Sequence, residues 1–114
     1  MGIRTFIDKL LNSTSQAKPL QTMKDYDRAI ELKDAMAYFS RGTAYGELGN
    51  YREAIKDFDK TIEINPKHAD AYYNQGIAYH HLGNKEQALS DYKTAARLGL
   101  KTAQDYLRKQ RIEW

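Results

Sequence analysis

The chain has 114 residues, a formal net charge of +3, 41% hydrophobic residues and 29% charged ones. That balance describes one small globular domain, excludes a disordered polyelectrolyte tail, and leaves no apolar run long enough to span a bilayer. With no cysteine, a disulfide framework, a thiol nucleophile and a thiolate zinc site are excluded, which fits a reducing compartment and predicts a cytoplasmic location.

Residues 1–11 lack the uninterrupted apolar core and the cleavage site of a secretory signal. Instead Ile3, Phe6, Ile7, Leu10 and Leu11 fall at i, i+3, i+4, i+7 and i+8, the stripe of an amphipathic helix over 3–12. Four polar, cap-prone residues follow at 12–15, and Pro19 suits the first turn of a second helix because it has no amide hydrogen to leave unpaired there. The run at 19–32 aligns with that at 51–64 at an offset of 32, with Lys24-Asp25-Tyr26-Asp27 standing against Lys56-Asp57-Phe58-Asp59. Only Lys33-Asp34 remain to join it to the next helix, and two readings stay open. Either a tightened turn sits there, or helices 20–32 and 35–48 fuse into one rod, which would favour a swapped homodimer. A fused helix would carry two charges in the middle of its buried stripe, which speaks for the turn.

Residues 35–66 read as a helix, a Gly-Asn turn, a second helix and an Asn65-Pro66 stop, since proline excludes the helical conformation from the residue before it. The chain then repeats this unit. A step of 34 carries Gly42 onto Gly76, Tyr45 onto Tyr79, Leu48-Gly49-Asn50 onto Leu82-Gly83-Asn84, Ala54 onto Ala88, Asp57 onto Asp91 and Phe58 onto Tyr92. Gly99 marks the next helix end. The last stretch sets Ala103, Tyr106 and Leu107 on one face and Lys101, Arg108, Lys109 and Arg111 on the other, the pattern of a closing helix. A fixed period of this size predicts an all-α fold, an α-α superhelix or solenoid of about two and a half repeats. It spans 1–114 as a single domain: a degenerate or partial repeat at 1–34, repeats at 35–68 and 69–102, and a capping helix at 103–114.

At these residues the chain resembles tetratricopeptide repeat proteins, whose signature is Trp-x2-Leu-Gly-x2-Tyr, then Ala-x3-Phe, then Pro. The first full repeat offers Tyr38, Arg41-Gly42, Tyr45, Ala54, Phe58 and Pro66; the second offers Tyr72, Gln75-Gly76, Tyr79, Ala88, Tyr92 and Leu100. Tyrosine for tryptophan, a polar residue for leucine and Leu100 for proline are departures. The glycines are expected to let the two helices of a repeat approach, with Ala54 and Ala88 opposite them and the aromatic rings filling the space between repeats.

The resemblance implies a concave groove, lined by the first helices of successive repeats, that holds a peptide or a protein segment. By register the groove positions include Phe39, Thr43, Tyr73, Asn74, Ile77, His81 and Arg108, with Met36, Ser40, Gly46, Glu47, Asp70, His80, Gln104, Leu107 and Arg111 beside them. The family's carboxylate clamp for chaperone tails is matched only by Asn74 and Arg108, because Phe39, Thr43 and Gln104 stand where Lys, Asn and Lys are needed. One cation is too little charge to desolvate and hold a carboxylate.

Catalytic and metal chemistry finds no support. Adjacent His80 and His81 point about 100° apart on a helix and do not chelate one ion together. Asp57, Asp59, Asp91 and Glu63 recur with the repeat, which suits caps or surface ion pairs rather than a lone acid-base dyad. The expected function is a non-catalytic protein-interaction module with no cofactor and no metal, whose partner is a protein or peptide rather than nucleic acid or membrane. The alternative is self-assembly as a homodimer.

Overall fold

A computed structural model describes residues 34–114; the predicted helix at 3–12 and the half-repeat at 19–32 lie outside the described residues. Five helices follow one another: α1 Ala35–Glu47, α2 Tyr51–Ile64, α3 Ala69–His81, α4 Lys85–Arg97 and α5 Lys101–Lys109. Asp34 has extended backbone (φ −88°, ψ 120°) and its carboxylate accepts the Met36 amide at 2.9 Å, so it caps α1. The helix that begins at Ala35 therefore does not continue back through Asp34, which speaks for the turn of the two readings. The physical reason is local: an aspartate satisfies a free amide better as a cap than it tolerates burial in a stripe.

The helix ends share one device. Gly49 and Gly83 both adopt φ 80°, and Gly99 adopts φ 98°. Around the first, the Gly49 amide donates to Gly46 O at 3.0 Å and the Asn50 amide to Tyr45 O at 2.8 Å, closing the last turn of α1. The same pair of bonds recurs at Gly83-Asn84, at Gly99-Leu100 and, with Arg111 at φ 58°, after α5. Among the described helices only α2 ends differently, with Asn65 extended before Pro66.

The helices pack as antiparallel neighbours, α1 on α2 and α3 on α4, with α2 joined to α3 and α4 to α5. The core is built largely from alanine, with Ala54, Ala71, Ala88, Ala95, Ala96 and Ala103 all buried, and small side chains let helix axes come close. A Cβ added to Gly42 would sit 2.8 Å from the Phe58 ring, and one on Gly76 would sit 2.7 Å from the Tyr92 ring. This corrects one detail of the expectation: Phe58 and Tyr92 lie over the glycines inside each helix pair rather than only between pairs. Helix α5 buries Ala103 and Leu107 fully, so Leu107, placed by register beside the groove, belongs to the core instead, and Tyr106, Ile112 and Trp114 pack onto the same cluster.

Two recurring aspartates depart from the surface role expected of them. Asp57 is buried and takes a bidentate pair from Arg41, Nε to Oδ2 at 2.8 Å and Nη2 to Oδ1 at 2.7 Å. Its counterpart Asp91 is also buried, but Gln75 replaces the arginine and donates instead to Asp59 Oδ1 at 2.6 Å and Ile55 O at 3.3 Å. Asp91 Oδ2 is left without a partner. Burial first, and the nearby Asp59 charge second, push its carboxyl up to about 7.

Candidate functional site

A cavity of about 220 Å³ opens between α1, α2 and α3. From α1 it takes Thr43, Gly46 and Glu47, from α2 Tyr51, Ala54 and Phe58, and from α3 Asn74, Ile77, Ala78 and His81. Residues three, four and seven apart share a helix face, so Thr43 and Glu47 on one side and Asn74, Ile77 and His81 on the other point into the same space. Gly46 shapes the floor. A Cβ placed there meets nothing within 4 Å, so the cavity owes part of its room to the missing side chain.

The walls are defined by aromatic and polar groups. The Tyr51 and His81 rings stack at 4.4 Å and 1° between planes, tying the start of α2 to the end of α3. Thr43 donates its hydroxyl to Phe39 O at 2.9 Å, within its own helix. The Asn74 side chain makes no hydrogen bond within the described residues, and Ile77 is exposed. The arrangement is an apolar slot with an amide and a carboxylate on its rim, of a size and character suited to holding a side chain of another molecule.

Of the seven groove positions predicted, Thr43, Asn74, Ile77 and His81 line this cavity. Phe39 lies beside it, half-buried, with its ring 5.9 Å from Phe58 and 4.6 Å from His68. Tyr73 is half-buried too, its ring 5.4 Å from that of Tyr92. Arg108 belongs to a separate open hollow at the closing end, where it pairs with Asp105 at 3.2 Å and lies 5.2 Å from the Trp114 ring. Gln104, another clamp position, donates to Ala96 O at 2.9 Å and so joins α5 to α4. The register of the first helices alone does not include the contribution of α2, whose Tyr51, Ala54 and Phe58 line the slot. Tyr51 carried a signal: it follows the Gly49-Asn50 turn, which brings the start of α2 back beside the end of α1.

Two antiparallel helix pairs of one period, a further helix packed on the second pair and an inner slot define a helical-repeat protein. A family profile described as tetratricopeptide repeat matches residues 39–99, and the chain belongs to that family. Among curated proteins it is similar to a protein SGT1 homolog from Bos taurus, 35% identical over 65 residues, which are 55% of this chain and 18% of that protein. It is also similar to Hsp70-Hsp90 organizing protein 1 from Glycine max, 42% identical over 53 residues, 45% of this chain and 9% of that protein. The chain thus spans less than a fifth of either relative. Among solved structures, the second such domain of human RPAP3 in complex with the HSP70 peptide SGPTIEEVD superposes with a TM-score of 0.76 at 26% identity, over 93% of this chain and 92% of that one. YrrB, described as having an unusual peptide-binding site, superposes with a TM-score of 0.75 at 29% identity, over 85% of this chain and 52% of that one.

Proposed function

We propose that the chain is a non-catalytic interaction module that holds a segment of a partner protein in the slot between α1 and α3. The observation that carries this is the cavity over Gly46, apolar within and rimmed by the Asn74 amide and the Glu47 carboxylate. Peptide binding by RPAP3 and YrrB supports the reading. A cytoplasmic setting goes with it and rests on the cysteine-free composition.

The test uses Gly46→Leu. Leucine is a good helix former and meets open space at this position, so the thermal melt is expected to hold or rise. The new side chain fills the slot, so peptides selected on the native chain from a random library are expected to lose at least tenfold in affinity by fluorescence anisotropy. Undiminished binding to the leucine variant overturns the groove assignment.

A further inference from the structure

The charge of the slot limits what it accepts. Among the described residues that line the cavity, Glu47 is the single Asp or Glu and none is Lys or Arg. Its carboxylate is exposed, at the last position of α1, and pairs with no other described residue. Arg108, the one cation among the seven predicted groove positions, stands in the other hollow against Asp105 and Trp114. A free chain-terminal carboxylate entering the slot would therefore meet a like charge and leave its hydration without a cation in return. An apolar cavity of about 150 Å³ suffices for benzene, so the room over Gly46 and Ile77 admits one aliphatic or aromatic side chain. The Asn74 amide, which makes no hydrogen bond among the described residues, is left to bond the main chain of the occupant.

We infer that the occupant is an internal segment of a partner protein in which an apolar side chain is followed or preceded closely by a lysine or arginine. The apolar group seats over Gly46 and Ile77, the cation pairs with Glu47, and no chain end is required. The inference rests on the groove reading above and deepens it. It also separates this chain from the relative that holds SGPTIEEVD, a peptide carrying two glutamates and an aspartate and no cation.

The experiment selects C-terminally amidated octapeptides from a random library on the full chain and on Glu47→Lys. Lysine suits the last turn of a helix, so that variant is expected to keep its fold, checked by circular dichroism. The expected result is enrichment of Lys or Arg near an apolar residue on the native chain and of Asp or Glu on the variant. The selected basic peptides should bind the native chain at least tenfold tighter than SGPTIEEVD. Enrichment of acidic peptides on the native chain, a preference unmoved by Glu47→Lys, or tighter binding of SGPTIEEVD would each overturn the inference. If Gly46→Leu still blocks the peptides in those cases, the groove reading survives alone. If no peptide is enriched on the native chain, both fall.

Discussion

Arg41 with Asp57, and Gln75 with Asp91, occupy the same places in successive units and behave differently. The first carboxylate is buried with a bidentate guanidinium, and the second is buried with one oxygen unpartnered. Arg41→Ala is expected to cost about 3–5 kcal/mol, since it strands a buried charge, and urea unfolding at neutral pH measures it. Asp91 has the opposite pH signature to most carboxylates. Its folded value of about 7 lies above that of an unfolded aspartate, near 4, so between these limits the folded state binds more protons than the unfolded one. The stabilising contribution is present in full below about pH 4 and is lost as pH rises through about 7. The melting temperature should accordingly rise as pH is lowered from 8 to 6. Asp91→Asn, which removes the charge that Asp59 and burial oppose, should raise the melt at pH 8 and flatten that slope.

At the scale of the helix, glycine shows how surroundings reverse the sign of one substitution. In an exposed helix interior Gly→Ala stabilises by up to about 1 kcal/mol. Gly46 faces open space, and Gly46→Ala should show that gain in chemical denaturation. A Cβ added to Gly76 would sit 2.7 Å from the Tyr92 ring and 3.1 Å from the Ala88 carbonyl oxygen. Neither a buried ring nor a backbone yields easily, so Gly76→Ala should destabilise by about 1–3 kcal/mol in the same assay. The helix ends were readable in advance because their signals are local. Leu48-Gly49-Asn50 and its copies state where backbone must turn left-handed, and Asn65-Pro66 states where a helix stops. Arg111 at φ 58° carried no such mark, because arginine gains that conformation only from the closing turn it completes.

Across the whole molecule the units share a core that no single helix pair closes. Leu107 on α5 is wholly buried, and its cluster joins α4 to α5. Leu107→Ala should cost about 2–5 kcal/mol by equilibrium unfolding, and because solenoid stability passes through neighbour interfaces the loss should spread into α3 and α4. Hydrogen exchange is expected to show faster amides at Ala95, Ala96 and Tyr92 before those of α2. The tail adds a polar latch, with Arg97 Nε donating to Trp114 O at 2.8 Å.

The chain's own order determined the all-α repeat, its period and the face on which Thr43, Asn74, Ile77 and His81 fall, because helical periodicity and turn chemistry act over a few residues. The tertiary structure alone decided that Tyr51 and Phe58 wall the slot and that Phe39 and Tyr73 lie beside other rings. It also decided that Arg41 reaches Asp57 while Asp91 goes unpaired, and that Asp34 caps a helix instead of continuing one. Each of these depends on which side chain a neighbouring helix brings within a few ångströms, and that distance is set by packing, not by spacing along the chain.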